Sequence, residues 1–254
     1  MLCDSHTHLS DFPSSEIPEI LERASAAGVG LIVSAGTTLE SCRAGVALAR
    51  RHPMVRAGVG LHPMELQSPV PEETWREIYA LASDREHVVC ISETGLDFMS
   101  GAPPRKVQEQ AFRQHIRMAL DLDLPLVLHS RESHGDVLRV LREEGASRVG
   151  GVMHYFQADR ETARLAMDSG FLISLAKPLL RLPELQSVAA QLPLDRIVLE
   201  TDAAPQPWKR HRRRWTEPWQ VRLVAEKLAQ IKGVPFEQVA ETTSDNLKRL
   251  LKLS

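Results

Sequence analysis

The sequence predicts an α/β protein, a (β/α)8 TIM barrel formed as a single domain over residues 1–254. Three observations predict it. Short apolar runs alternate with amphipathic stretches from one end of the chain to the other. Eight such runs fall within 254 residues, the number of βα units a closed barrel contains. Polar, ligand-capable residues follow most of the runs, and a barrel assembles its active site at the C-terminal ends of its strands.

The expected strands lie near Leu2 to Cys3, Val29 to Val33, Val55 to Val59, Val88 to Ile91, Leu124 to Leu128, Val149 to Met153, Phe171 to Leu175 and Ile197 to Leu199. Their apolar character is continuous rather than alternating, which suits parallel strands covered on both faces. Between them, Arg105 to Leu122 places Val107, Phe112, Ile116, Ala119 and Leu120 near one helical face. Ser133 is placed to cap a helix carrying Val137, Leu138, Val140 and Leu141, with Gly145 past its end. Thr216 is placed to cap a helix carrying Val221, Val224, Leu228 and Ile231, closed by Gly233. Residues 235–254 read as one or two helices on the outside. An open doubly wound sheet is the alternative, because periodicity alone does not fix closure. No linker, low-complexity segment or repeat is evident.

Composition narrows the function classes. Apolar residues make up 43% and charged residues 25%, as in ordinary globular domains. The net charge of -2 gives no general attraction for polyanions, so nucleic-acid binding would require a local basic patch. The start MLCDSHTHL lacks a basic region followed by a long apolar run, and no stretch is apolar enough to span a bilayer. Cys3, Cys42 and Cys90 are odd in number and show no CxxC spacing, which argues against a disulfide framework and a thiolate metal site. A cytoplasmic location, no membrane association and no obligate protein partner are expected.

The chemistry gathers after the strands. His6 and His8 follow the first run, His62 the third, Glu93 the fourth, His129 the fifth, His154 the sixth and Asp202 the eighth. In a barrel these positions converge at one mouth. Imidazoles with carboxylates suit Zn²⁺ or Mn²⁺, and Mg²⁺ when waters complete the shell. Residues two apart on a strand share a face, so His6 and His8 can hold one ion together. A carboxylate between two ions can bridge them, and Glu93 is the best-placed candidate. His52, His87, His115 and His134 fall within or beside helical or loop segments and read as surface residues.

These residues sit in a recognisable series. DSHTHL, GVGLHP, ISETGLDF, QEQAFRQHIRMALDLDLPLVLHSRES, GVMHYF and IVLETDAAP stand in the order and approximate spacing of the TatD-type metal-dependent deoxyribonucleases, which the chain resembles from Asp4 to about Asn246. HxH also opens amidohydrolases and PHP-type phosphoesterases; the ordered set is what is specific. The resemblance implies a (β/α)8 barrel with two divalent ions. His6, His8, Glu93 and Asp202 would hold the first; Glu93 would bridge to the second, completed by His129 and His154. Asp202 would orient the attacking water, Glu200 would support the ligands, His62 would contact the scissile phosphate, and Arg131 would stand at a phosphate or supporting position. The chain departs from the family pattern at Thr7, at Ser92, at residues 156–159 and at residues 215–218. The last two touch substrate-contacting loops.

Lys209, Arg210, His211, Arg212, Arg213 and Arg214 form the densest charge run, between the eighth strand and the next helix. Arginine forks bind phosphate oxygens bidentately, and barrels bind phosphate around the loops after strands seven and eight. Trp208 and Trp215 flank the run and could stack on bases. The expected substrate is therefore DNA or another phosphoester, gripped in part by Arg212, Arg213 and Arg214; a solvated loop is the plain alternative. The expected reaction is metal-activated hydrolysis of a phosphodiester by a 3′–5′ exonuclease, with Glu93 and Asp202 as the catalytic carboxylates. The rival readings are a barrel hydrolase of another ester or amide bond, for instance on an aminoacyl-tRNA, and a non-enzymatic metal-binding scaffold.

Overall fold

A computed structural model of the chain describes residues 1–253, the side chain of Arg213 excepted. Its strands are β1 (Leu2–Thr7), β2 (Val29–Ala35), β3 (Val55–Val59), β4 (Val88–Asp97), β5 (Leu126–Arg131), β6 (Gly151–Met153), β7 (Phe171–Leu175) and β8 (Ile197–Leu199). They pair in chain order, each parallel to the next. β1 then meets the end of β8. Thr7 bridges Ala203, the His8 N–H donates to the Ala203 carbonyl at 2.7 Å, and the Asp202 N–H donates to the His6 carbonyl at 3.1 Å. These bonds make the sheet a nearly closed barrel and set the open doubly wound alternative aside.

Each strand is followed by a helix: α1 (Ile17–Ala26), α2 (Leu39–Arg51), α3 (Glu72–Ala82), α4 (Arg105–Leu122), α5 (His134–Glu143), α6 (Arg160–Asp168), α7 (Pro183–Gln191) and α8 (Val221–Lys232), with α9 (Phe236–Leu250) last. α4 is the helix its apolar spacing predicts, and Gly145 and Gly233 take left-handed backbone at helix ends as expected. Among the described residues no helix is long and apolar enough to cross a membrane.

The barrel interior explains how the mouth is populated. Near the strand starts, Cys3, Leu31, Val89, Val127, Val152, Leu172 and Val198 pack together, and Leu247 of α9 and Leu251 just past its end close that end. Side chains alternate across a strand, so the residue two beyond an interior valine also points inward. Two beyond Val127 is His129, two beyond Val152 is His154, and two beyond Val198 is Glu200. The periodicity that fills the bottom of the barrel with apolar groups thus delivers ligand-capable groups to its top.

β4 runs longest, and Gly95 lets it. Gly95 has φ +141°, and a Cβ there would collide with the His129 carbonyl oxygen of β5. The close approach keeps β4 paired to β5 as far as Asp97 and Arg131.

Several expectations need correction. The strands extend beyond their apolar cores, so His6, Glu93 and His129 lie within β1, β4 and β5 rather than after them. Ser133 precedes α5 but its hydroxyl does not cap it; it donates to the Leu96 carbonyl at 2.7 Å, tying the helix start to β4. Thr216 does not cap α8, because a 3₁₀ turn at Pro218–Gln220 intervenes and Gln220 holds the cap position. His115 is fully buried rather than on the surface: its Nε2 accepts from the Leu61 N–H at 3.0 Å and its Nδ1 lies 2.8 Å from the Ala111 carbonyl. His134 is half-buried and lines the mouth, and His87 pairs with Asp84 at 3.0 Å.

Candidate metal centre

Glu93 lies at the centre of the mouth, on β4, and its two oxygens serve different neighbours. Oε2 is 3.4 Å from His6 Nε2 and 3.6 Å from His8 Nε2, both from β1 and its end. Oε1 is 3.0 Å from His129 Nδ1 on β5, 3.2 Å from His154 Nε2 after β6, and 3.7 Å from His62 Nε2 after β3. Asp202 Oδ1 joins the first side, 3.3 Å from His8 Nε2 and 3.9 Å from His6 Nε2. Donor atoms come within 4.8 Å of one another in three groups: His6 with His8 and Glu93, His6 with His154 and Asp202, and His62 with Glu93 and His129. The cleft above them holds about 410 Å³.

Most of these donors are held by a second residue. His154 Nδ1 lies 2.9 Å from Glu200 Oε1, which leaves Nε2 aimed at Glu93. Glu200 is fully buried and fixed in turn by the Tyr155 N–H at 2.9 Å and the Ser174 hydroxyl at 2.5 Å. His129 Nε2 lies 2.8 Å from Asp97 Oδ2, so this imidazole stands between two carboxylates of β4. Asp97 is anchored through its backbone, donating to Gln108 Oε1 at 2.8 Å. His62 Nδ1 accepts from the Met64 N–H at 3.1 Å, leaving Nε2 toward Glu93. Asp4, at the heart of β1, accepts from the Thr201 N–H at 3.0 Å and its hydroxyl at 2.6 Å, and so fixes the chain one residue before Asp202. Asp202 itself has φ +53°, the left-handed conformation that Asp tolerates better than most residues. Hydrogen-bonded carboxylates of this kind fix the tautomer and aim of ligating imidazoles.

The electrostatics follow from that crowding. Burial would raise the Glu93 carboxyl, yet His154, His62 and His6 hold it well below the usual range. Asp202, one-third exposed to the cleft, is likewise held low, chiefly by its hydrogen bond with His8. Burial opposes a charge on His154, but Glu200 and Glu93 on either side push it well up. Burial and the neighbouring His154 push His6 down, and burial brings His62 down to about 4. The mouth therefore gathers anionic carboxylates among five imidazoles, and the His6 and His8 Nε2 atoms stand 3.3 Å apart facing the same Glu93 oxygen. That donor set fits divalent cations of the borderline class.

The structure brings together His6, His8, Glu93, His129, His154, Asp202 and His62, all of them anticipated from the sequence. One grouping differs in detail: His62 lies in the Glu93–His129 group, and His154 stacks on His6 with ring centroids 3.8 Å apart while still reaching Glu93. Arg131, at the end of β5, lines the cleft and is exposed.

The basic run behaves differently. Arg212, expected to grip substrate, is occupied elsewhere. Its guanidinium pairs with Glu16 at 2.5 Å and Glu217 at 3.0 Å, and it lies over the rings of Trp215 and Phe12. Trp215, expected to stack on bases, packs against Phe12 with centroids 6.1 Å apart. Arg214 and Trp208 are exposed; the Arg213 side chain lies outside the described residues. Sequence reasoning missed Asp97, although Glu93, Gly95 and Asp97 at two-residue spacing on one strand were a usable signal. It also missed Asp4, and Ser130 with His134, whose Oγ and Nδ1 lie 2.6 Å apart in the cleft wall.

Comparison with known proteins places the chain among relatives. The family model described as TatD related DNase matches residues 3–252. The uncharacterized metal-dependent hydrolase YabD of Bacillus subtilis is 33% identical, with 100% of both chains covered. YcfH of Escherichia coli, of the same description, is 35% identical over 99% of this chain and 96% of its own. The human protein named deoxyribonuclease TATDN3 is 31% identical over 98% of this chain and 94% of its own. Among solved structures, YjjV, a TatD homologue from Escherichia coli, superposes with a TM-score of 0.90 at 28% identity, covering 100% of this chain and 98% of that one. The barrel, the ligand-capable mouth and these likenesses converge: the chain belongs to the TatD family of metal-dependent hydrolases.

Proposed function

We propose that the protein is a two-metal phosphodiester hydrolase, a deoxyribonuclease of the 3′–5′ exonuclease type. The observation that carries the reading is the division of the Glu93 carboxylate, one oxygen toward His6 and His8 and the other toward His129 and His154. A carboxylate shared in that way suits a bridge between two cations. His6, His8, Glu93 and Asp202 would hold one, and Glu93, His129 and His154 the other. When bound, the pair would activate a water at neutral pH and neutralise charge on the phosphoryl oxygens.

The chain's own groups do the rest. Asp202, held ionised and one-third exposed to the cleft, accepts the proton of the attacking water as general base. His62 Nε2 points to the same centre and Arg131 stands on the cleft rim, each placed to donate to a non-bridging phosphate oxygen. Glu200 and Asp97 keep His154 and His129 in register through the cycle. The name of the 31%-identical human relative supports DNA as the substrate.

The test is nucleotide release from 3′-labelled single-stranded DNA by purified protein with Mg²⁺ or Mn²⁺, with EDTA, and with Glu93→Ala. Metal-dependent release that falls by about 10³-fold or more in the variant is expected. Intact DNA in the presence of protein carrying two ions would overturn the nuclease reading and turn attention to other esters.

A further inference from the structure

Some cations on the outside of the barrel are neutralised by carboxylates. Arg113 pairs with Glu109, Glu143 and Glu144, Arg164 with Glu161 and Asp168, and Arg50 with Asp84. Three cations beside the metal cleft are held differently. Lys177, which opens the 3₁₀ turn after β7, donates to Thr216 Oγ1 at 3.2 Å and Gln220 Oε1 at 2.9 Å. Lys209, in the loop after β8, donates to Gln206 Oε1 at 2.6 Å and to the Arg214 carbonyl at 3.1 Å. Gln206 Oε1 also accepts from Thr216 Oγ1 at 3.3 Å, so two ammonium groups share one chain of neutral acceptors. Arg181 ends the turn that Lys177 opens, and it is exposed. None of the three forms an ion pair with a carboxylate among the described residues. Glu217, next to Thr216 in the chain, is taken by Arg23 and Arg212.

Lys209 and Arg181 are each close enough to act on Lys177. Half-burial pushes the Lys177 ammonium below its ordinary range, and Lys209 and Arg181 push it further the same way. Arg181 also acts on Tyr155, which lines the cleft beside His154. A group of like charges with no carboxylate partner is relieved by an anion, and the loops after strands seven and eight are where barrels bind phosphate. An arginine fork and two ammonium points offer both bidentate and single-point contact with phosphate oxygens.

We propose that Lys177, Arg181 and Lys209 form a second anion subsite beside the metal cleft, which takes a backbone phosphate of the same strand whose scissile phosphate lies at Glu93. The nucleic-acid identity of the occupant rests on the function proposed above; the anion site does not. In this arrangement Arg212 shapes the loop from within, while the gripping charges come from its neighbours and from the loop after β7.

The test is binding, read by fluorescence anisotropy of a labelled phosphorothioate oligothymidylate that resists hydrolysis, with wild-type protein, Arg181→Gln/Lys209→Gln and Arg142→Gln. Arg142 is exposed near the end of α5 and serves as the charge control. The double variant is expected to bind about tenfold or more weakly, with a salt slope shallower by about 0.7 per lost phosphate contact, and the control to match wild type. Double variant and control binding alike would overturn the subsite. Inorganic pyrophosphate provides the second arm, by calorimetry. Wild-type protein that ignores the oligonucleotide but binds pyrophosphate, with that binding lost in the double variant, would keep the anion subsite and sink the nucleic-acid reading. Protein that binds neither overturns the subsite.

Discussion

The two sides of the mouth are built by opposite means. Around Glu93, the charged groups come mostly from strands or the residues just after them, and two of the five imidazoles are aimed by a second, buried carboxylate: His154 by Glu200, His129 by Asp97. On the loop after β8 the charges stand on irregular backbone, and one arginine, wedged between Glu16, Glu217, Trp215 and Phe12, holds the segment's shape. Chemistry needs atoms fixed to within fractions of an ångström, so it is placed on the barrel wall. Recognition of a polymer tolerates adjustment, so it is placed on a connecting segment.

Three changes would break or sharpen this contrast. The largest effect belongs to the wall. Glu200→Gln or Asp97→Asn leaves every candidate ligand in place yet removes the group that aims one imidazole, and a loss of about 10–100-fold in metal affinity or turnover is expected. Metal titration of the purified variants against wild type measures it, and an unchanged affinity would show that the ligands aim themselves.

The next effect concerns what backs the wall. His115 joins α4 to the Leu61 N–H, next to His62, and to Thr94, next to Glu93. Burial pushes its imidazole down to about 4 from an ordinary 6.5. The folded state therefore binds this proton less readily than the unfolded chain does. Its neutral form costs nothing above about pH 6.5, and stability is lost as pH falls from there toward 4, by up to about 3 kcal/mol. His115→Asn is expected to lower stability at pH 7 by about 2 kcal/mol and to flatten that acid-side slope. Urea midpoints at stepped pH values provide both numbers; an unaltered slope would assign the acid sensitivity to other groups.

The smallest effect belongs to the loop. Arg212→Ala is expected to cost about 1 kcal/mol or less of global stability, because its guanidinium is one-third exposed. It should nevertheless open residues 203–217 to limited proteolysis while metal content stays at the wild-type level. A variant that loses metal as well would show the loop and the wall to be one unit.

What was legible in the sequence divides along the same line. Strand positions, the order of the ligand-capable residues and the helix at Arg105–Leu122 follow from apolar runs and spacing, which are local properties. The ends of the strands do not: β1, β4 and β5 run on through His6, Glu93 and His129 because pairing with neighbours continues past the apolar core. His115 read as a surface residue because a histidine in a helix carries no mark of its partners, and its partners are a strand residue and a loop amide distant in the chain. Arg212 read as a grip because a charge run looks uniform in sequence; only folding places Glu16 against one member of it.

Gly95 carries a final consequence. The residue has no functional group and stands outside the cleft lining. Yet a single methyl group there would force β5 away from β4 and carry His129 with it, while Glu93 and Asp97, on either side in the chain, stayed behind. Anyone refitting this mouth to another reaction is free to exchange donors around the rim one at a time. The clearance between these two strands is the tolerance to which the whole part is machined, and it is set by an atom that is missing.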